Sequence, residues 1–393
     1  MEMVSTTKLV VAWLTMFLVG TELFVFSPLV PLLAEDYHIS AGMAGLSVTI
    51  FSLAYMLSAP LLGHVSDRMG RRRLLICSLL VFSAANLLTA LAPDLPSLLA
   101  VRVFAGVSAA GVSPSIYALV GGAAPSDRRS TWLAVAVSGL LVALAFGAST
   151  GAIIAALFGW PAIFVALAGI SLVLARLNRQ VWPCEPEVAA RTHAAGPDRR
   201  AAAALARRLI PMLLWSTALY AVYTYLGAGL IAAGFSTGRT ARAILCYGCG
   251  AITGVLIGGR TADRFGVKFT AGASFAGLCA CLLLLRLALD TGTFVEPAIA
   301  VSSLVAQLFF PAQQAGLAND FPRQRATALA WNNSALFFGI SLGSFLGGRA
   351  IALGSFDTGL TISAGFALIG WFVNAVVVPD QALRRINRGQ DSQ

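Results

Sequence analysis

The stretch GHVSDRMGRRR, residues 63–73, places one acid among four arginines between two long apolar runs. A similar stretch, GGRTADRFGVK, follows at residues 258–268. The two copies share a frame of glycine, acid, arginine and glycine at Gly63, Asp67, Arg68 and Gly70 and at Gly259, Asp263, Arg264 and Gly266. Chance similarity between basic loops reproduces arginines but rarely this whole frame. The chain is therefore predicted to contain a duplicated unit.

The composition indicates an integral membrane protein. The 393 residues are 58% hydrophobic and 11% charged, with a mean hydropathy of +0.81. A soluble globular protein carries about 25% charged residues. The net charge of +10 would also suit a nucleic-acid binder, but the basic residues lie between apolar runs, which is typical of membrane topology. We expect no nucleic-acid partner.

Twelve apolar runs are long enough to cross a bilayer as helices, which takes about 20 residues. They are 9–33, 43–63, 74–92, 96–122, 131–157, 161–178, 209–233, 242–262, 269–288, 294–318, 328–352 and 358–378. The first run is too long for a signal-peptide core. We predict an N-terminal six-helix bundle over 1–178, a cytoplasmic linker over 179–208 and a C-terminal six-helix bundle over 209–393.

Most of the 27 lysines and arginines fall on one side of these spans, which places that side, both termini and the linker in the cytoplasm. A second repeat supports the duplication, because Pro125 and Arg128 precede span five as Pro322 and Arg325 precede span eleven. Repeats in the same order predict two parallel halves related by an axis along the membrane normal. We expect a multi-pass protein of the plasma membrane (the bacterial inner membrane).

These motifs resemble those of the major facilitator superfamily. GHVSDRMGRRR is similar to its signature loop between helices two and three, and LLAVRVFAGVSAAG (98–111) is similar to its R-x-x-x-G helix, with Arg102 and Gly106. GASTGAIIAA (147–156) resembles a stretch typical of its proton antiporters. The resemblance covers the whole chain and is strongest to twelve-helix drug/proton antiporters of the arabinose-efflux-permease type. It implies proton-coupled export of a small organic solute, with the proton as the coupling ion and no other cofactor.

The antiporter stretch departs from the family pattern, because Ala152 stands at the position of its proline. The kink that this proline gives should be lost, while small residues still allow close helix packing. The same glycine frame recurs in GISLGSFLGG (339–348), with Ser344 at the proline position. The predicted helix-packing residues are Gly147, Gly151, Gly339 and Gly343.

Glu22 is the most informative single residue, because it lies near the middle of span one. It is roughly 20 Å from the start of that span at about 1.5 Å per residue. A carboxylate at that depth is costly, so it usually faces a cavity and exchanges a proton. We predict that Glu22 binds a proton, or a cationic substrate in competition with it. The alternative is a permanently protonated acid that bonds a neighbouring helix.

Arg102 lies near the outer end of span four. The family resemblance implies a buried arginine involved in proton coupling. The sequence alone allows its side chain to snorkel to the outer interface instead, and it does not reveal whether Arg102 pairs with Glu22.

Polar and aromatic residues at middle depth are candidates for the substrate cavity. Together with Glu22 they are Thr49, Ser52, Tyr55, Tyr117, Tyr220, Tyr223 and Gln307. Tyr220 and Tyr223 share one side of a helix, whereas Tyr225 points elsewhere. Each tyrosine could equally serve packing. Aromatic residues with few fixed charges suit a moderately apolar organic solute.

The opening loop has two readings. Arg68, Arg71 and the arginines after it fit topology alone, but Asp67 does not, since acids contribute little to that rule. Gly63 and Gly70 should permit close approach and turning of the backbone. The resemblance implies a gating cluster that holds the two halves together on the inside when the cavity opens outward, with the first copy contributing more than the second.

Three other functions compete with proton-coupled export. A uniporter or proton symporter of a sugar-like or nucleoside-like solute would use the same fold. An enzyme is not expected, because the sequence offers no phosphate loop or hydrolase motif, and a non-transporting sensor is a remote alternative. Cys246 and Cys249 have no nearby ligand set, so we expect no metal site. We expect a functional monomer whose partners are a small molecule and membrane lipid.

Overall fold

The computed structural model describes residues 2–125, 129–183, 199–321, 324–353 and 355–377. Within these ranges the chain forms seventeen α-helices and one π-helical turn. The first half contains α1 (Glu2–Phe24), α2 (Phe26–Asp36), α3 (Ala41–Ala44), α4 (Leu46–Met69), α5 (Arg71–Ala90), α6 (Leu95–Ala123), α7 (Arg129–Val142), the π-helical turn (Ala143–Gly147), α8 (Ala148–Phe158) and α9 (Pro161–Val181).

The second half repeats this order. It contains α10 (Arg199–Tyr223), α11 (Leu226–Ala232), α12 (Thr237–Phe265), α13 (Val267–Thr291), α14 (Val295–Gln307), α15 (Phe309–Asp320), α16 (Arg325–Leu353) and α17 (Phe356–Val377). Twelve helical stretches of the described chain are long and apolar enough to cross a membrane. The prediction of an all-α protein with twelve spans is confirmed.

The predicted linker is shorter than 179–208. Helix α9 continues to Val181, and α10 already begins at Arg199. The sequence RRAAAALARR (199–208) is rich in alanine, leucine and arginine, which are strong helix formers, so the helix extends beyond the apolar run. Residues 184–198 lie outside the described residues, and the division of the chain into two bundles at this segment stays a prediction.

The backbone repeats the duplication seen in the sequence. Gly70 (φ 82°) ends α4 and Gly266 (φ 89°) ends α12. Both lie in a region of φ that favours glycine, so the second glycine of each frame turns the chain into the next helix. Ser40 and Ser236 cap the helices that open spans two and eight. All these pairs are 196 residues apart, as are Asp67 and Asp263.

Glycines let two pairs of helices approach closely. Cβ atoms added at Gly147 and Gly151 would overlap the Thr21 and Val25 side chains of span one. In the second half, a Cβ at Gly343 would lie 2.5 Å from the Thr217 carbonyl oxygen, and one at Gly339 would lie 2.7 Å from that of Leu213. Spans five and eleven therefore pack on spans one and seven through the predicted glycine frames.

Span five is distorted although its motif lacks proline. The π-helical turn Ala143–Gly147 lies directly before α8, and such turns widen a helix and commonly bend it. The turn faces Gly20 of α1, where an added Cβ would lie 2.7 Å from the Ala143 Cβ. A backbone irregularity is thus retained without the proline at position 152.

The two halves close the outer side of the molecule. Helix α2 packs on α11, α3 and α4 pack on α16, and the π-helical turn and α8 pack on α12. At the outer ends, an added Cβ at Gly42 would lie 2.6 Å from the Gly348 carbonyl oxygen. A backbone contact this close leaves no passage for a solute there.

Candidate functional site

Glu22 of α1 and Arg102 of α6 form a buried ion pair. Arg102 Nη1 donates to Glu22 Oε1, and the two side chains are 1% and 0% exposed. Gly106, one turn after Arg102, faces the Phe51 carbonyl oxygen of α4 without a side chain between them, so α6 packs closely on α4. The structure therefore brings the two predicted coupling residues together.

The surroundings of Arg102 show that the snorkelling alternative is wrong. Its Nε donates to the Ser47 carbonyl oxygen at 3.3 Å, and its guanidinium carbon lies 4.2 Å from the ring centre of Phe26 and 4.4 Å from that of Phe51. Aromatic faces attract a guanidinium, and Glu22 balances its charge. The side chain is thus held inside the protein instead of reaching the interface.

Helix α6, which carries Arg102, is fixed at its outer end by a capping box. The Ser97 backbone N–H donates to Asp94 Oδ1 at 2.9 Å. Hydrogen bonds from Ser97 hold the pKa of the Asp94 carboxyl below its usual value. The cap sets where the helix begins, and so sets the depth of Arg102.

Several buried oxygen atoms near the ion pair lack a hydrogen-bond partner among the described residues. They are Glu22 Oε2 and the hydroxyls of Ser47, Thr49 and Ser52 on α4. A buried polar atom without a partner carries a desolvation cost of about 1–3 kcal/mol. Such atoms can take up a proton or a polar ligand group at little further cost.

Aromatic rings surround the junction of the two halves. The Tyr223 ring centre lies 4.7 Å from that of Tyr247, 5.9 Å from that of Tyr220 and 6.0 Å from that of Phe24. We call these four residues the aromatic cluster. Three come from the second half, and Phe24 lies two residues after Glu22 on α1. The cluster therefore links the ion-pair helix to spans seven and eight.

Tyr225 points away from the aromatic cluster, in line with its predicted direction. Its Oη donates to the Ser344 carbonyl oxygen at 2.8 Å and lies 3.5 Å from that of Gly42. An added Cβ at Gly45 would overlap its ring. The Tyr225 ring thus packs against glycines between α3 and α16.

The remaining cavity candidates lie on three different helices, α4, α6 and α14. Tyr55 stacks on Phe337 with ring centres 3.5 Å apart and accepts a hydrogen bond from Asn333 Nδ2 at 3.2 Å, so it joins the two halves. Tyr117 is half-buried on α6, and Gln307 is buried at the end of α14. Their part in binding stays a prediction.

The second half has no ion pair at the position that corresponds to Glu22 and Arg102 in the described chain. Ala218 and Tyr247 follow Glu22 and Phe51 by the same 196 residues that separate the two loop motifs. Both line a cavity closed by α13 and α14. Its wall is Ala218, Leu219, Val222, Leu226, Tyr247, Leu278, Leu282, Leu285, Ile299 and Ser302. An apolar space thus replaces the buried charges.

The loop motifs lie open at the inner side. Arg68, Asp263 and Arg264 are exposed, and the side chain of Asp67 lies outside the described residues. The expected close approach at Gly63 is wrong for this conformation, because a Cβ there would meet nothing within 4 Å, as at Gly259. The inner ends of the spans leave this surface uncovered while the outer side is closed.

Sequence reasoning missed four aromatic residues of the site, namely Phe24, Phe26, Phe51 and Tyr247. Each lies in an apolar run, where an aromatic side chain is ordinary, so nothing in its own span marks it. The repeat could have pointed to Phe51 and Tyr247, since they occupy corresponding positions in the two halves. Among the described residues, no group of three or more His, Cys, Asp or Glu could hold a metal ion.

Comparison with known proteins agrees with this architecture. The family model of the Major Facilitator Superfamily matches residues 12–241 and 212–391. The chain belongs to the Major Facilitator Superfamily. With its twelve apolar helices it is an integral multi-pass membrane protein, and its bacterial relatives support the bacterial inner membrane as its location.

Three curated relatives of this superfamily member are informative. The uncharacterized MFS-type transporter YceJ of Bacillus subtilis is 29% identical over 85% of this chain and 86% of its own. A chloramphenicol resistance protein of Streptomyces lividans is 31% identical over 62% of this chain and 64% of its own. A gentisate transporter of Corynebacterium glutamicum is 26% identical over 82% and 76%.

Two solved structures share the fold. A bacterial homologue of the human lysosomal transporter Spinster, in an inward-facing and unoccupied conformation, has a TM-score of 0.78 at 16% identity and covers 95% of this chain and 97% of its own. A D-xylose-proton symporter has a TM-score of 0.78 at 17% identity, with 95% and 98% covered. Because the family model and the curated relatives place the chain in the superfamily, it is a transporter with a small-molecule substrate.

Proposed function

We propose that the protein exports a small, moderately hydrophobic aromatic solute in exchange for protons, by alternating access and with no cofactor besides the proton. The observation that carries this proposal is the buried Glu22–Arg102 pair with one unpartnered carboxylate oxygen. Substrate, coupling ion and direction are each part of the proposal.

Glu22 can lose its charge by binding a proton, whereas Arg102 keeps its charge. A guanidinium stays protonated in proteins, but a carboxylate can become neutral by binding a proton. When Glu22 binds a proton, the attraction to Arg102 falls, and the guanidinium keeps only the Ser47 carbonyl oxygen and the two rings. Because α1 and α6 are joined by this pair, protonation changes the free energy of their arrangement. That is the differential interaction a coupled conformational change needs.

The aromatic cluster supports an aromatic solute. Four rings meet at the junction of the halves, where stacking favours a flat apolar group. The Streptomyces relative is named for resistance to chloramphenicol and the Corynebacterium relative for gentisate. Both are aromatic compounds, which suits the four rings of the aromatic cluster.

The loop motif is proposed as the inner gate. When the outer side opens, the inner ends of the spans approach, and Asp67 and Gly63 would then meet the other half or an arginine. Asp67→Asn should slow turnover while solute affinity stays near that of the wild type. Normal turnover by this variant would remove Asp67 from gating. We further propose that one copy of the chain is the working unit, surrounded by lipid.

Transport into inverted vesicles with an imposed pH gradient tests the coupling. Chloramphenicol and gentisate serve as labelled probes, with acid inside the vesicles to drive uptake by exchange. Glu22→Gln should abolish uptake driven by the gradient but retain exchange of solute across the membrane. Glu35→Gln, at an exposed glutamate of α2, is the matched control. Uptake by Glu22→Gln equal to that of the wild type would refute the role of Glu22.

Proton symport is the second candidate. The fold is shared with a D-xylose-proton symporter, and Ala152 replaces the proline of the antiporter stretch. The same vesicles separate the two directions: a symporter accumulates the probe when the proton gradient runs inward, and an exporter does so when it runs outward. Probe binding without flux in either gradient would indicate a sensor instead.

A further inference from the structure

Two broken helices meet at the outer side of the junction. Span one breaks at Val25, between α1 and α2. The Phe24 carbonyl oxygen would accept a hydrogen bond from the N–H of residue 28 in a continuous helix. Residue 28 is proline, which has no N–H, so this oxygen lacks the donor that a continuous helix would supply. The break therefore leaves a buried acceptor.

Span seven breaks at the facing position. Helix α10 ends at Tyr223 and α11 begins at Leu226. Across this break the Thr224 N–H donates to Tyr220 O and the Gly229 N–H donates to Tyr225 O. Tyr223 is the last residue of α10, so its carbonyl oxygen lies at this break, opposite the Phe24 carbonyl oxygen.

Each acceptor is satisfied by a hydroxyl from the opposite half. Tyr223 Oη donates to the Phe24 carbonyl oxygen at 3.0 Å, and Ser27 Oγ donates to the Tyr223 carbonyl oxygen. Ser27 and Tyr223 are 1% and 3% exposed, so water does not compete for either bond. We call this reciprocal pair of bonds the clasp.

We propose that the clasp holds the outer side closed, and that the outer side opens only as water reaches the two carbonyl oxygens. Separating the halves removes both donors together. An unsatisfied carbonyl in an apolar environment is costly, so a dry separated state is disfavoured. Tyr223 belongs to the aromatic cluster as well, so the clasp and the cluster share one residue. The proposal rests on alternating access but not on the solute, the coupling ion or the direction of transport.

The test measures the distance between the outer ends of the two halves. Spin labels are placed at Phe158 and Leu353, which are 74% and 80% exposed, in a variant with the native cysteines replaced by serine. Tyr223→Phe and Ser27→Ala each remove one bond of the clasp. Each should raise the ratio of open to closed molecules about fivefold to thirtyfold.

Two further variants make the test specific. Pro28→Ala restores an N–H that can satisfy the Phe24 carbonyl oxygen within span one, so it should cancel most of the effect of Tyr223→Phe in the double variant. Tyr37→Phe is the matched control, because Tyr37 Oη donates to the Ala92 carbonyl oxygen at 2.8 Å within one half. It should leave the distance distribution unchanged. If Pro28→Ala does not fold, Ser27→Ala still tests the clasp from the other side.

The outcomes are separable. The wild type should show two label-to-label distances, one for the closed and one for the open state. If the ratio of these two populations is unchanged in both Tyr223→Phe and Ser27→Ala, the clasp is overturned and alternating access stays intact. A single distance in every variant at every pH would contradict alternating access, and the clasp with it. Loss of proton coupling in Glu22→Gln with a normal response to Tyr223→Phe would support the clasp whatever ion drives transport.

Discussion

Glu22→Gln should destabilise the protein more than removal of Arg102 does. The pair is closed off from water, with 0% and 1% exposure of its side chains. Removing one partner of a buried ion pair costs about 3–5 kcal/mol, mostly because the other charge stays buried alone. In Glu22→Gln the lone charge is a guanidinium that cannot lose its proton. In Arg102→Met the lone carboxylate can become neutral by binding one.

The groups around Arg102 set the difference in stability between Glu22→Gln and Arg102→Met. After Glu22→Gln, Arg102 keeps the Ser47 carbonyl oxygen and the faces of Phe26 and Phe51, which it already contacts in the wild type. These contacts hold the guanidinium in place but do not replace its counter-charge, so a net charge is left inside the first half. Arg102→Met should cost less, chiefly the lost contacts of the side chain. The double variant should be the most stable of the three, because no charge remains.

Thermal denaturation of the purified protein in detergent, followed by tryptophan fluorescence, checks this order. We expect the apparent melting temperature to fall by roughly 5 °C or more in Glu22→Gln, by less in Arg102→Met and least in the double variant. The defect of Arg102→Met should shrink as the pH falls, because protons neutralise its lone carboxyl, while that of Glu22→Gln should not change. Equal stability of Glu22→Gln and the wild type at every pH would refute the reasoning.

Three further predictions concern other parts of the fold. Gly45→Ala should prevent outer closure, because the added Cβ would overlap the Tyr225 ring. The distance between spin labels at the outer ends should therefore shift to the value of the open state. Gly63→Ala is the control, because its Cβ would meet nothing within 4 Å and should leave that distance unchanged. Asp67→Asn should lower the turnover rate in vesicles with little change in probe affinity, and an equal loss of affinity would point to misfolding instead. Asp94→Ala should lower the melting temperature at neutral pH. Hydrogen bonds from Ser97 lower the pKa of the Asp94 carboxyl, so the ionised carboxylate stabilises the helix at any pH above that pKa. The difference in melting temperature between wild type and variant should therefore disappear in acid.

The sequence was sufficient for the spans because hydropathy and charge act along the chain. The duplicated frame around Asp67 and Asp263 gave the repeat, and the turns at Gly70 and Gly266 follow from it. Helix ends were less predictable. The chain from Arg199 onward is helical because of its alanine content, although it is not apolar. The apolar run therefore predicted a shorter helix than α10.

The site was predictable only in part. Glu22 stood out because a carboxylate in the middle of an apolar span is rare. Its pairing with Arg102 depends on the packing of α1 against α6, and no pattern within either span encodes that distance. The clasp was hidden for a related reason, since Pro28 and Ser27 gain their meaning only when Tyr223 from the other half lies opposite them.

The two halves differ in whether their centres carry charged or apolar side chains, and this difference affects how such a protein can diversify. The centre of the first half holds the buried ion pair of Glu22 and Arg102, while the corresponding space beside Ala218 and Tyr247 is lined by apolar side chains. A substitution in that apolar wall changes volume and shape without changing any buried charge. A lineage can therefore explore new solutes through one copy of the ancestral unit while the other copy keeps its electrostatics constant.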